Sequence, residues 1–122
     1  MQSPIVRRII PNLLVFGLVG LGLASCARAA SPELPAGADA ELVAGQNLYG
    51  RNCASCHGGD GSGALGPKFS GGHLVEKYPD PADQLAVIEE GRSAMPAFGE
   101  RLTDEELAAI VRYTREILSP LE

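Results

Sequence analysis

The clearest amphipathic pattern lies at the end of the chain and predicts a helix from Thr103 to about Leu118. Thr103 and Glu106 have the spacing of a capping box at its start. Its apolar face consists of Leu107, Ile110, Val111 and Thr114, with Tyr113 beside it. Charged residues occupy the opposite face and Ser119-Pro120 ends the element, so we expect one side of this helix to be buried.

A second stripe predicts a helix from Ala40 to about Asn52, capped by Asp39. Its apolar positions are Leu42, Gly45, Leu48 and Tyr49. Glycine in a helix interior costs about 1 kcal/mol relative to alanine, so Gly45 indicates that another backbone passes close to this face. Tyr49 is interpreted as a core aromatic, as a residue near a bound cofactor, or as both.

The region between these two helices is less regular, with one further helix predicted. Asp80 caps it, Pro81 takes its first position and Gly91 ends it. Its expected apolar face consists of Leu85 and Ile88, together with Ala82. A short helix is also expected from His73 onward.

The start of the chain has the layout of a secretory signal. Arg7 and Arg8 precede an apolar run from Ile9 to Ala24. The run ends in Leu23-Ala24-Ser25-Cys26, which resembles the lipobox of bacterial lipoproteins. That resemblance implies a signal peptide over residues 1–25 and acylation of Cys26 on the periplasmic side of a bacterial membrane.

Two alternatives to the lipid anchor remain open. Ala27-Arg28-Ala29 is suited to ordinary signal peptidase, which would release a soluble periplasmic protein. The apolar run is also a candidate for an uncleaved anchor, although it is shorter than the ~20 residues of a usual spanning helix. Residues 26–39 are rich in Ala, Ser, Pro, Glu and Gly and are expected to be a flexible tether. Residues 40–119 are the expected domain.

Charge narrows the choice of partner. Residues 26–122 contain 8 Lys and Arg against 15 Asp and Glu, a net charge of −7, which makes nucleic acid an improbable partner. Lys68, Lys77 and Arg92 are nevertheless candidates for a local basic rim.

The motif with the most specific chemistry is Cys53-Ala54-Ser55-Cys56-His57. C-x-x-C-H is the attachment motif of a c-type haem. Residues three apart lie on one face of a helical turn, so both thiols can reach one porphyrin edge, and His57 can ligate the iron. A zinc half-site and a plain disulfide are the alternatives. Zinc would need further ligands from His73 or Cys26, and a disulfide leaves His57 unexplained.

Met95 is the candidate for the second axial ligand. It is one of two methionines, with Met1, and it lies in a loop between Gly91 and Gly99 and directly before Pro96. A methionine outside any helical stripe is less easily explained as a core residue. His73 is a weaker candidate for this position and is more simply interpreted as a surface histidine.

The Gly-rich segment from Gly58 to Pro67 predicts a loop whose backbone lies close to another group, expected here to be the porphyrin face. It lacks the Gly-Lys-Ser/Thr of a phosphate-binding loop. A ligating histidine usually donates its second ring nitrogen to a carbonyl, and the Gly66-Pro67 turn is the natural source.

Taken together, these residues resemble the class I cytochromes c over residues 40–118. The resemblance rests on Gly45, Tyr49, the Cys53–His57 motif, Gly66-Pro67, Met95-Pro96, Leu107, Val111 and Tyr113. It implies an all-α fold of three to four helices wrapped around one covalently bound haem c. It also implies that the first and last helices cross at right angles, with Gly45 against the last helix near Tyr113. The resemblance further implies that His57 is the proximal ligand, Met95 the distal ligand and the Pro67 carbonyl the partner of His57.

The expected function is electron transfer between Fe(II) and Fe(III) with protein redox partners, without catalysis and without a small-molecule substrate. With both axial positions filled by His57 and Met95, no coordination site is open to a substrate. A fixed subunit of a membrane respiratory or photosynthetic complex is the first alternative. An open-site haem enzyme or gas-binding protein is the second.

Overall fold

The computed structural model describes residues 30–121, and these residues form five α-helices followed by a π-helical segment. The elements are α1 (Ala40–Asn52), α2 (Ala54–His57), α3 (His73–Lys77), α4 (Pro81–Glu90), α5 (Asp104–Tyr113) and the π-helix Thr114–Leu118. Within this range the only β-type pairing is an isolated bridge between Arg92 and Met95. The all-α prediction is therefore confirmed.

Helix α1 begins and packs as its sequence pattern predicts. The Asp39 side chain accepts a hydrogen bond from the Leu42 N–H at 2.9 Å. All four positions of the predicted stripe are buried. A Cβ at Gly45 would overlap the Ala109 carbonyl oxygen and lie 2.8 Å from the Tyr113 Cβ. The close backbone approach predicted at Gly45 is the contact between α1 and α5.

Helix α5 begins with the predicted capping box. The Glu106 N–H donates to Thr103 Oγ1 at 3.3 Å, and the Thr103 N–H donates to Glu106 Oε2 at 3.0 Å. The predicted helix reaches Leu118, but its last five residues are π-helical. At this transition the Thr114 hydroxyl lies 2.9 Å from the Ile110 carbonyl oxygen, within hydrogen-bond reach of the preceding turn.

The predicted apolar face of α4 was partly wrong. Ile88 is buried and Leu85 is half-buried, but Ala82 is exposed and Gln84 is buried instead. The Gln84 amide is tolerated inside because its Nε2 donates to Thr114 Oγ1 at 2.8 Å. A polar residue thus takes a core position that the apolar pattern did not assign to it.

The predicted tether over residues 26–39 is not free of the domain in its described part. Leu34 and Ala38 pack against the core cluster of Leu42, Tyr49, Tyr113 and Leu118. Gln46 Nε2 donates to the Pro32 carbonyl at 2.7 Å. Within the described residues, apolar contacts and a hydrogen bond therefore hold residues 32–38 against the core, where the sequence predicted a flexible tether.

Two apolar clusters form the core, and Cys53 contacts both. One lies around α4 and α5 and the other around the contact between α1 and α5. This arrangement places the cysteine motif at the centre of the domain.

The predicted signal peptide over residues 1–25, the lipidation site Cys26 and the alternative cleavage site Ala27-Arg28-Ala29 lie outside the described residues. Across residues 30–121, no helix combines the length and the apolar character that a membrane crossing requires.

Candidate haem site

The two cysteines lie where α1 passes into α2. The Cys53 N–H donates to the Tyr49 carbonyl at 2.8 Å, which ends α1. The N–H groups of Cys56 and His57 both donate to the Cys53 carbonyl at 3.0 Å, which forms the next turn.

Both thiols are free, so they are not joined as the disulfide alternative required. Within residues 30–121, no group of three or more His, Cys, Asp and Glu side chains is arranged to hold a metal ion, as the zinc alternative would need.

His57 is held in one orientation by its neighbours. Its side chain is buried, and Nδ1 lies 3.0 Å from the Pro67 carbonyl oxygen. With Nδ1–H donating to that carbonyl, Nε2 keeps its lone pair for a metal. Phe69 stacks on the imidazole with ring centroids 4.3 Å apart, a contact that no sequence pattern predicted.

The Gly-rich loop turns tightly around His57, and its last residues, Leu65, Gly66 and Pro67, also line the larger cavity. A Cβ at Gly66 would lie 2.7 Å from His57 Cε1, and the Gly63 N–H donates to the His57 carbonyl at 2.8 Å. Gly61 lies against Phe69 and Leu118. The glycines are needed because the loop turns tightly beneath the imidazole.

His57 and Met95 line the same two adjoining cavities, of about 440 and about 80 Å³. Cys53 lines both cavities and Cys56 lines the larger. The remaining walls are largely apolar and include Tyr49, Pro67, Phe69, Leu74, Val87, Ile88 and Ile110. An apolar cleft with two thiols, an imidazole nitrogen and a thioether fits a covalently attached haem in its lining and its donor chemistry.

Met95 lies in a tightly constrained loop, residues 91–99, which we call the Met95 loop. Arg92 and Met95 exchange two backbone hydrogen bonds, at 2.9 and 3.0 Å. The Phe98 N–H donates to the Ile88 carbonyl at 3.0 Å, which fastens the loop to α4. Gly91 has a φ of +73°, and a Cβ there would lie 2.7 Å from the Met95 carbonyl oxygen.

Tyr49 packs against the Cys53–His57 motif and holds the residue that follows it. It is fully buried, lines the smaller cavity and donates from its hydroxyl to the Gly58 carbonyl at 2.6 Å. Burial, with a smaller contribution from Cys53, raises the pKa of Tyr49 far above its usual value, so the phenol stays protonated. Tyr113 packs on Tyr49 with ring centroids 5.5 Å apart. Gly45 and Tyr113 form the contact between α1 and α5 and do not line either cavity.

The thiol of Cys53 is in a desolvated environment. Burial raises its pKa to about 11, and the neighbouring Cys56 contributes in the same direction. Before haem is attached, this cysteine is therefore a neutral thiol at neutral pH.

The charged residues around the cleft are all basic. Lys68 and Lys77 line the smaller cavity, and Lys77 and Arg92 line the larger. Among the described residues no Asp or Glu lines either cavity. The predicted basic rim therefore exists on an otherwise acidic protein. His73 also lines the smaller cavity but is exposed, with Nδ1 3.7 Å from Glu76.

Comparison with known sequences gives a family match over most of the domain. The model for "Cytochrome C oxidase, cbb3-type, subunit III" matches residues 40–113. Cytochrome c6 of Thermosynechococcus vestitus is 32% identical over 81 residues, covering 65% of this chain and 72% of that protein. Cytochrome c6 of Cladophora glomerata is 35% identical over 80 residues, covering 62% and 88%.

Solved structures give the same result. Cytochrome c6 from the diatom Phaeodactylum tricornutum superposes with a TM-score of 0.52 and 29% identity, covering 60% of this chain and 88% of that one. Cytochrome cL from Methylophaga aminisulfidivorans superposes with a TM-score of 0.54 and 27% identity, covering 64% of this chain and 55% of that one.

Proposed function

Since this chain belongs to the class I c-type cytochromes, small monohaem proteins that transfer electrons, we propose that Cys53 and Cys56 bind its haem covalently. In the same proposal His57 and Met95 ligate the iron. The observation that carries it is that these four side chains all line the larger cavity, whose walls are largely apolar.

The bound haem supplies an iron that gains and loses one electron, and the chain determines how easily. The Pro67 carbonyl keeps the His57 proton on Nδ1, so that the lone pair of Nε2 would be available to the iron. Met95 would supply a thioether from the same cavity walls, and a His/Met ligand pair would favour a relatively high potential. The apolar walls exclude water, which limits the solvent rearrangement that would accompany a change in the charge of the iron.

Carbon monoxide binding separates an electron carrier from an open-site haem protein. With Met95 bound to iron, the reduced protein is expected not to bind carbon monoxide at neutral pH, whereas Met95→Ala is expected to bind it readily. If the reduced wild-type protein binds carbon monoxide as readily as the variant, Met95 is not a ligand.

The cleft mouth is the proposed docking surface for redox partners. Leu65 is 91% exposed beside it, and Lys68, Lys77 and Arg92 surround it. An exposed apolar residue within a basic rim suits a partner that presents an apolar patch edged with carboxylates. Electron transfer to such a partner should slow as ionic strength rises. An unchanged or rising rate would count against this surface.

A fixed subunit of a membrane redox complex is the second candidate. It is supported by the match to a model named for an oxidase subunit and by the packing of residues 32–38 on α1, which shortens any tether. Co-purification with a larger haem-containing complex from native membranes would favour it. Recovery of the protein alone would favour the mobile carrier.

Export and lipid anchoring remain part of the proposal. They rest on residues 1–25 as a lipoprotein-type signal peptide and on Cys26 as the acylated residue. Cys26→Ser should move the protein from the membrane fraction to the soluble fraction, and unchanged membrane association would exclude lipid anchoring at this residue.

A further inference from the structure

Three polar residues form a chain that ends in the wall of the smaller cavity. Arg115 donates from Nη1 to Gln84 Oε1 at 3.3 Å, and Gln84 donates from Nε2 to Thr114 Oγ1 at 2.8 Å. Gln84 and Thr114 are 4% and 2% exposed and line the cavity together with His57 and Met95. An amide buried in a largely apolar wall is unfavourable unless its polar atoms have hydrogen-bond partners, and Gln84 has two.

The partners of Gln84 fix the direction of its amide. Arginine can only donate, so the atom that faces Arg115 must be the oxygen. The Thr114 hydroxyl hydrogen is directed to the carbonyls of Ile110 and Val111, at 2.9 and 3.0 Å, so the Thr114 oxygen accepts from the Gln84 NH₂. The amide therefore turns its positive end toward Thr114 and the cavity wall, and its second N–H is not used by Thr114.

The charge of Arg115 is held in place behind this amide. Nη1 also donates to the Tyr78 carbonyl at 2.8 Å, and Nη2 donates to the Pro79 carbonyl at 3.0 Å. Carbonyls orient the guanidinium but do not neutralise it, and none of the ion pairs among residues 30–121 includes Arg115. Arg112, one turn earlier, forms ion pairs with Asp39, Glu41 and Glu116 at 2.8 to 3.0 Å.

We propose that Arg115 and Gln84 act together as positioning residues that raise the reduction potential of the haem iron. The fixed positive charge of Arg115 and the amide dipole of Gln84, whose positive end faces the cavity wall, both produce a positive electrostatic potential in the cavity. That potential disfavours Fe(III), which carries one more positive charge than Fe(II). The inference rests on the proposed binding of haem by His57 and Met95.

Redox titration of the haem-loaded protein tests the proposal, with Arg112→Gln as a control of equal charge change. At an ambient potential equal to the wild-type midpoint, the ratio of reduced to oxidised Arg115→Gln should fall roughly two- to tenfold, as expected for removing a partly screened charge. Gln84→Leu should shift in the same direction. Arg112→Gln should shift less than Arg115→Gln, because its charge is already paired with carboxylates.

The double variant tests whether Arg115 acts through Gln84. If Arg115 acts partly by polarising Gln84, the shift of Gln84→Leu/Arg115→Gln should be smaller than the sum of the two single shifts. Equal shifts in Arg115→Gln and Arg112→Gln, or no shift in Arg115→Gln, would overturn the proposal. Arg115 does not line the cavity, so Arg115→Gln gives a decisive result even if Gln84→Leu disturbs packing.

The far-red band of Met-bound ferric iron separates this inference from the proposed function. A variant with a lower potential and an intact band has changed the potential without losing Met95. A wild-type protein without covalent haem or without the band would instead overturn the proposed function.

Discussion

Gly45 in α1 and Tyr113 in α5 approach so closely that a Cβ at position 45 would lie 2.8 Å from the Tyr113 Cβ. The same Cβ would overlap the Ala109 carbonyl oxygen. Gly45→Ala must therefore separate the two helices, and we expect a loss of roughly 1–3 kcal/mol in the free energy of unfolding. Denaturant unfolding of the haem-loaded protein measures it.

Gly50→Ala is the matched control for Gly45→Ala. Gly50 lies in the same helix, but a Cβ there meets no atom within 4 Å. Helix propensity alone should make this variant more stable by about 0.5–1 kcal/mol. If the two substitutions have the same effect on stability, helix propensity and not the close contact governs position 45.

Gly91 controls the position of Met95. Its φ is +73°, and a Cβ would lie 2.7 Å from both the Met95 carbonyl oxygen and the Ala97 nitrogen. Gly91→Ala should displace the Met95 loop, weaken the far-red band of the ferric protein and allow carbon monoxide to bind the reduced protein. Gly71→Ala has a similar φ of +70° but open space around it, so it should leave both properties unchanged. An intact band in Gly91→Ala would show that the loop does not depend on this glycine.

Asp39 makes stability depend on pH in the acid range. The hydrogen bond from Arg112, together with the Leu42 N–H, holds the pKa of the Asp39 carboxyl below its usual value. A lowered pKa stabilises the fold above the unfolded pKa of about 3.9, and this contribution is lost as the pH falls through the folded value. Asp39→Asn retains a capping side chain but removes the charge, so its unfolding free energy should fall less between pH 5 and 3 in urea titrations. Parallel pH profiles for the two proteins would contradict the role of this charge.

The haem is expected to be part of the core. A domain of about 80 residues buries little apolar area, and here the centre is an apolar cleft beside Cys53. Cys53→Ser with Cys56→Ser should prevent covalent attachment and leave a chain with little cooperative structure by circular dichroism. A sharp cooperative thermal transition in this double variant would show that the polypeptide folds without its cofactor.

The sequence predicted best the features that depend on neighbours in the chain. The capping box of Thr103 and Glu106 and the stripe of α1 are local patterns, and both occur as predicted. The helical pattern of apolar residues did not predict the burial of Gln84, because that burial depends on Thr114 and Arg115, about 30 residues away. The packing of Leu34 on the core was missed for the same reason.

Some contacts in the site also could not be predicted from residues that are neighbours in the chain. The stacking of Phe69 on His57 depends on the path of the Gly-rich loop, which turns tightly against the imidazole. Hydrophobic periodicity carries no information about that path. The π-helical pitch of Thr114–Leu118 was likewise not predicted, because an apolar pattern does not distinguish it from an α-helix.

The absorption spectrum of the haem-loaded protein, recorded in both redox states, tests the central claim most directly. Covalent haem ligated by His57 and Met95 predicts a c-type spectrum after reduction and the weak far-red band of Met-bound iron in the ferric state. That band should disappear in Met95→Ala. A c-type spectrum without the band in the wild-type protein, or the absence of covalent haem, would contradict the account.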